Sequence, residues 1–317
     1  MAGPKRWMAS CLMGLAATAA AQIYPSKPLR IITAGVGGGN DLVSRLIAQG
    51  ISGPLGQQVI VDNRGGGLSA AEAGARAAPD GHTLLVMSGS LWIAQLVRAR
   101  VSYDALRDFI PITLADRAPN ILLIHPSLPV KSVKDLIALA KSRPGALNYS
   151  SAGTASSSHL SGELFKAMAG IDIVNIQYKS HAQEMIELMA GRMQLAFSNP
   201  LVARPNMKSG KLRALAVTSP QPSTLVPGLP TIASSGLPGY ESESFHAVFL
   251  PARTPDTIVR RLNLEIVNTL RSNETKEILL GSGVEPVGST PEELSAIVKA
   301  EIARWGKVIR DAGLRES

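Results

Sequence analysis

The feature that most limits how this chain can fold is a repeated alternation between short apolar runs and longer stretches of helical periodicity. Leu29 to Ile32 is short and mainly apolar, and it reads as a buried strand. After a turn at Gly35 to Asn40, the residues Leu42, Val43, Leu46, Ile47 and Ile51 recur at the spacing of one helix face. Val59 to Val61 reads as a second strand. Ala70 to Ala78 reads as an alanine-rich helix closed by the turn Pro79-Asp80-Gly81, and Thr83 to Met87 as a third strand. Strand, helix, strand, helix, strand is the pattern of a parallel sheet covered by helices, so the fold class is α/β.

The alternation continues with strands at Ile121–Ile124, Leu147–Ser150, Ile173–Ile176, Met193–Phe197, Leu212–Val217 and Phe245–Leu250. Helices are expected after Ser132-Val133-Lys134-Asp135, a capping-box-like start, and from the serine-rich turn 150–158 through Met168. A further helix is expected over Ala182–Ala190. Met193–Phe197 reads as a strand with alternating sides. The remainder reads as helical, with Thr254 capping one helix ahead of Pro255. Thr290-Pro291-Glu292-Glu293 opens another that runs to about Asp311. No internal repeat or low-complexity block is present.

The first residues form a different kind of segment. Lys5 and Arg6 precede the mostly apolar run Leu12 to Ala20, which ends in Ala19-Ala20-Ala21. A short positive region, an apolar stretch and a small-residue site read as a secretory signal peptide over residues 1–21. The apolar run is well short of the ~20 residues a membrane-spanning helix needs. Cys11 follows Ala9-Ser10 and faintly resembles a lipoprotein site, but Met8 occupies a slot where leucine is usual, so cleavage after Ala21 is preferred. Removal of 21 of the 317 residues leaves 296, and the loss of Lys5 and Arg6 takes the net charge from +8 to +6. An exported, soluble bacterial chain of this kind belongs in the periplasm.

Composition excludes several classes. With 45% hydrophobic and 18% charged residues the chain is neither disordered nor fibrous. A single cysteine excludes a disulfide scaffold, an iron–sulfur cluster and a cysteine zinc site. Aromatics are 4% and basic residues are scattered, which speaks against nucleic acid as a partner.

Strand-to-helix turns rich in glycine or serine are where an α/β protein holds small ligands, because backbone N–H groups and the helix dipole face the gap. The first is Val36-Gly37-Gly38-Gly39-Asn40-Asp41. It is not a dinucleotide fingerprint, since the third glycine would fall at Asn40 or Leu42, and no Gly-Lys-Ser/Thr follows to make a P-loop. A ligand loop and an ordinary capping turn both fit it. The second is Gly153-Thr154-Ala155-Ser156-Ser157-Ser158-His159, whose hydroxyls before a helix make a cradle for a carboxylate or phosphate; a redundant N-cap is the alternative. Ser88-Gly89-Ser90 is a third candidate. Asn63-Arg64-Gly65-Gly66-Gly67 reads as a flexible loop. There is no G-x-S-x-G elbow, and the five histidines never occur as H-x-H or H-E-x-x-H. No metal, no cofactor and no enzymatic activity are therefore expected.

A set of short motifs runs along the chain: Tyr24-Pro25-Ser26-Lys27-Pro28-Leu29-Arg30-Ile31, Asp62-Asn63-Arg64, Ala77-Ala78-Pro79-Asp80-Gly81, Tyr103-Asp104 with Asp108-Phe109, and Pro144-Gly145-Ala146-Leu147-Asn148-Tyr149. Ser156-Ser157-Ser158-His159-Leu160, Gly162-Glu163-Leu164-Phe165, Tyr178-Lys179, Gly210 to Val217 and Gly236-Leu237-Pro238-Gly239-Tyr240 extend it along essentially the whole mature chain. In these motifs the chain resembles the Bug-type receptors, the extracytoplasmic substrate-binding components of tripartite tricarboxylate transporters.

The resemblance implies a two-domain periplasmic binding protein, type II-like, with two interdomain crossings and a ligand cleft. Domain 1 would comprise residues 22–124 plus 246–317, and domain 2 residues 125–245. The ligand would be a small carboxylate held by backbone N–H groups, hydroxyls and water. The resulting candidate set is Val36, Gly37, Gly38, Asp41, Ser88, Ser90, Gly153, Ser156, Ser157, His159, Tyr178 and Ser198. The expected partners are membrane subunits of a tripartite transporter, and the chain is expected to be a monomer. A receptor feeding a sensor system and an exported α/β hydrolase are the competing readings.

Departures from the family pattern concern the ligand. Ala34, Gly35 and Val36 replace an aromatic and prolines, Ser198 replaces an aspartate within Phe-Asp-Asn, and Phe245 and His246 stand where Trp and Phe are common. The missing acid leads us to expect a carboxylate without an α-ammonium group, a bulkier or aromatic acid among them.

Overall fold

Apolar runs become strands here because both of their faces find cover. The computed structural model describes residues 24–36, 39–64, 67–151, 156–178, 181–311 and 313–315. The proposed signal segment, Gly37, Gly38 and Gly153 lie outside the described residues. The chain opens with β1 (Leu29–Thr33), α1 (Gly39–Leu55), β2 (Val59–Asn63), α2 (Gly67–Ala75), β3 (Thr83–Ser88), α3 (Ser90–Val97) and β4 (Phe109–Pro119). Then come β5 (Ile121–Ile124), α4 (Val133–Ser142), β6 (Asn148–Ser151), α5 (Ser157–Ala169), β7 (Val174–Gln177), α6 (His181–Met189), β8 (Leu195–Ser198), α7 (Pro200–Lys208) and β9 (Arg213–Val217). The chain closes with β10 (Glu243–Pro251), α8 (Asp256–Arg271), α9 (Asn273–Gly281), β11 (Glu285–Pro286) and α10 (Pro291–Asp311).

These strands make two sheets. The first has the order β11-β4-β10-β3-β1-β2 and the second β7-β6-β8-β5-β9. β1 pairs in parallel with β2 and β3, as a strand–helix–strand unit requires, while β10 runs antiparallel between β3 and β4. The second sheet repeats the scheme: β6 is parallel to β7 and β8, and β5 is antiparallel to β8 and β9. The fold is thus α/β with two sheets and two crossings between them. Ile121–Ile124, counted with the first domain from sequence, is corrected to the second sheet; the first crossing is at Asn120 and the second at Ser242.

The crossings are tied together by polar groups. Asn120 N–H donates to Thr218 Oγ1 at 2.7 Å, and Thr218 N–H returns a bond to Asn120 O at 2.9 Å. Asn120 Nδ2 donates to Ser161 Oγ at 3.0 Å, and Ser161 Oγ lies 2.8 Å from Ser242 Oγ. These bonds link both crossings to α5 where the sheets meet. One apolar cluster spans the junction and joins Trp92, Phe245 and Trp305 to Leu122, Tyr149 and Phe165. Two further clusters cover the outer faces of the sheets, one under α1 and α8 and one under α6 and α7.

Four elements escape the sequence pattern. α3 follows β3 after one residue. β4 carries Pro111 and Pro119, which normally argue against a strand, yet it is held between β10 and β11. α7 begins with Pro200 at its first turn and continues past Pro205. β11 interrupts the expected helical tail. β8, expected as a strand with alternating sides, is buried along its whole length. One local reading is corrected. Thr254 does not cap α8, because its Oγ1 donates back to Pro251 O at 2.8 Å and Pro255 takes the cap position without a side-chain bond. The capping box of α10 forms in full: Glu293 N–H donates to Thr290 Oγ1 at 3.2 Å, and Thr290 N–H donates to Glu293 Oε2 at 2.8 Å.

Candidate functional site

The geometry of the sheets decides where a cavity can form. Strand ends from both sheets point toward the crossings, and the helices that follow them start there. A cavity of 360 Å³ opens at this junction. The first half of the molecule contributes Ser88, Gly89, Ser90 and Ile93 from the end of β3 and the start of α3. The second contributes Ser156, Ser157 and Leu160 at the start of α5. The crossing strand supplies Ser242 to His246, and α10 supplies Glu301 and Trp305.

The two serine turns reach the cavity because each ends a buried strand and begins a helix. Ser88 Oγ and Ser90 Oγ lie 3.0 Å apart, so one hydroxyl proton remains to be offered outward. Ser156 has a structural duty as well: its Oγ accepts from His159 N–H at 3.2 Å as the N-cap of α5. Ser157 lines the cavity and its hydroxyl has no hydrogen bond within the described residues. An apolar floor lies beneath. Phe245 stacks on Trp92 with ring centroids 5.3 Å apart, and Ile93, Leu160 and Trp305 complete it.

The charged groups of the cavity sit on β10, its neighbour β4, and α10. His246 Nδ1 and Asp116 Oδ1 are 2.8 Å apart. Burial works against the charge on His246, but the Asp116 carboxylate outweighs it and holds the imidazole above its ordinary value. Glu243 is pushed up to about 7 by burial, against the pull of Arg117 and with the help of Glu241, Glu285 and Glu301. Burial also raises Glu301, although Arg304 and the Trp305 indole N–H, which donates at 2.7 Å, act the other way.

The remaining sequence candidates lie elsewhere. Val36 is exposed and outside the cavity wall. Asp41 is buried, pairs with Arg45 at 3.0 Å and accepts from Asn63 Nδ2 at 2.9 Å, which ties α1 to the end of β2. His159 is a buried residue in the first turn of α5, where desolvation lowers it and favours the neutral ring. Tyr178 is half-buried against the outer cluster of the second sheet. Ser198 is wholly inaccessible and its hydroxyl is unpartnered. The absence of an acid at 198 therefore does not leave the cavity without carboxylates, since Glu243 and Glu301 stand in its wall. Sequence reasoning missed both, together with Ser242, Ser244, Phe245 and Trp305. The faint signals were the departure at 245–246 and the i,i+4 spacing of Glu301 and Trp305 on one helix face.

A family model described as the tripartite tricarboxylate transporter family receptor matches residues 43–314. Protein BugT of Bordetella pertussis is 33% identical over 95% of this chain and 94% of its own length. Among solved structures, R. palustris Rpa4515 with adipate superposes with a TM-score of 0.74 at 38% identity, covering 92% of this chain and 98% of that one. MatC from Rhodopseudomonas palustris with bound malate gives a TM-score of 0.71 at 28% identity, covering 90% and 100%.

Proposed function

Since the chain belongs to the tripartite tricarboxylate transporter receptor family, we propose that it is a periplasmic receptor that captures a small carboxylate and delivers it to transporter subunits in the membrane. The observation that carries this reading is the cavity itself. Hydroxyls from both sheets, Ser88 and Ser90 on one side and Ser156 and Ser157 on the other, converge on 360 Å³ of space above an apolar floor. Such a volume is at the small end of ligand pockets and suits a compact organic acid. Two relatives solved with adipate and with malate support the same ligand class.

In this reading the two sheets are the cores of two lobes hinged at Asn120 and Ser242, and the protein works as a monomer by binding and closing, without chemistry on the ligand. A ligand that touches both walls only when they approach stabilises the closed form by its differential affinity. His246 and Asp116 are the acid–base part of a hydrolytic arrangement, but among the described residues no serine or threonine hydroxyl is hydrogen-bonded to His246.

The test is thermal unfolding of the mature protein with acetate, benzoate, malate and adipate. A ligand at about 100 times its Kd adds about 2.7 kcal/mol, which raises Tm by about 5 °C. At least one of the four acids is expected to give such a rise, with no rise from the matching amides. Equal melting in all of them would remove the carboxylate-receptor reading.

A further inference from the structure

Resting on the receptor reading above, we propose that Asp116 and His246 form the cationic anchor of the cavity: the imidazole Nε2–H donates to a carboxylate of the bound anion, and Asp116 is the positioning residue that fixes the ring. Among the described lining residues His246 is the sole basic side chain; lysine and arginine are absent from the wall. A receptor for anions in a partly dry cavity needs a fixed donor with positive charge, because such bonds are roughly twice as strong as those between neutral groups.

The geometry isolates one nitrogen for that task. Nδ1 is engaged by Asp116 Oδ1 at 2.8 Å. Nε2 has no hydrogen-bond partner among the described residues, and the ring keeps 15% of its side-chain surface open. Its far edge abuts the first residue of α1, where a Cβ added to Gly39 would fall 2.5 Å from Nε2. The ring therefore stands beside the first residue of α1, whose positive end attracts an anion while opposing the charge on the imidazole itself.

Asp116 favours the charged form of the ring. The residue is wholly buried on β4, and its second oxygen, Oδ2, has no partner. A lone carboxylate in such a place is strongly disfavoured unless a cation sits beside it. The imidazolium is that cation, and its raised proton affinity follows from the same contact.

Among the described residues, the titratable groups around the ring are few. β4 presents Asp116. Glu243 on β10 and Glu301 on α10 stand in the same cavity wall. β3 presents Ser88, in register with His246, and α1 presents Gly39; neither titrates. Asp41, further along α1, is occupied by Arg45 and Asn63. Rising pH deprotonates His246 and ionises Glu243, so both changes weaken the hold on an anion.

The experiment is calorimetric titration of the mature protein, His246→Phe and Asp116→Asn with acetate, benzoate, malate and adipate at pH 6 and pH 8. Wild type is expected to bind at least one acid, more weakly at pH 8. His246→Phe is expected to lose at least about tenfold in affinity at pH 6 and to keep less pH dependence. Asp116→Asn is expected to move the loss of affinity to lower pH, an effect a purely structural role would not give. If His246→Phe binds with wild-type affinity and pH profile, the anchor assignment is overturned while the receptor reading stands. If wild type binds none of the four acids, the receptor reading fails and takes the anchor with it. Should His246→Phe not fold, imidazole NMR of the wild type decides. A histidine signal is expected to shift on saturation with the bound acid, and no change in any of the five overturns the proposal.

Discussion

The two walls of the cavity are built by the same device and end up chemically different. Each is a buried strand that stops, turns on serine and starts a helix: β3 into α3 on one side, β6 toward α5 on the other. The α5 wall offers hydroxyls and an apolar side chain, Ser156, Ser157 and Leu160. The opposing wall, completed by β10 and α10, offers hydroxyls too, but among the described residues it also holds the titratable groups of the lining: His246, Glu243 and Glu301. In the proposed receptor the uncharged wall is a general grip for an oxyanion. The charged wall then discriminates, because charge and protonation vary with the ligand and hydroxyl donors do not.

Variants can break this division. The largest effect is expected from Gly39→Ala, which changes no charge but puts a methyl 2.4 Å from His246 Cε1. The ring is held by Asp116 and cannot yield freely, so anion affinity should fall about tenfold or more with the fold retained, as read by calorimetry beside circular dichroism. Unchanged affinity would mean that the ring position is not used. Next, replacement of Ser156 and Ser157 together by Ala should weaken every bound acid by a similar factor, several-fold, because this wall does not discriminate. Ser157→Ala alone separates binding from capping, since loss of the Ser156 cap costs about 1 kcal/mol of stability by itself.

Glu243→Gln tests the charged wall through pH. The folded state holds this carboxyl up to about 7 from 4.5, so the folded protein binds its proton more tightly than the unfolded chain does. Wild type therefore loses stability as pH rises from about 4.5 through 7. The Gln variant should melt higher than wild type at pH 8 and equally near pH 4.5, by an amount of order 1 kcal/mol once solvent screening of a partly accessible group is allowed for. A difference of the opposite sign would place Glu243 as an ionised, well-paired carboxylate. The smallest effect is expected from Thr290→Ala, which breaks the capping box of α10 for about 1 kcal/mol of stability and leaves acid affinity as it was. A loss of affinity there would show that the placement of Glu301 and Trp305 is finely tuned.

The same contrast describes what the sequence discloses. The first five elements are legible because Leu29, Ile31 and Ile32, then Val43, Ile47 and Ile51, repeat with the period of their own structure. The serine turns are legible for the same local reason. β4 is not, since its prolines and the Asp116-Arg117 pair look like loop and only the strands on either side make it a strand. The charged wall is hidden for a tertiary reason. Asp116 and His246 are 130 residues apart and meet through antiparallel register, and Glu301 reaches the cavity only once α10 docks against the junction. Asp41 and Ser198 are the converse, polar residues at loop-like positions that the packing closes off.

The central claim is that one bound acid bridges the two walls, with a carboxylate on His246. A crystal structure of the mature protein with the tightest-binding of the four acids tests it most directly. The account predicts a ligand carboxylate within hydrogen-bond distance of His246 Nε2, and the molecule as a whole touching Ser157 across the cavity. An acid seated away from the junction, or bound with His246 untouched, would contradict it.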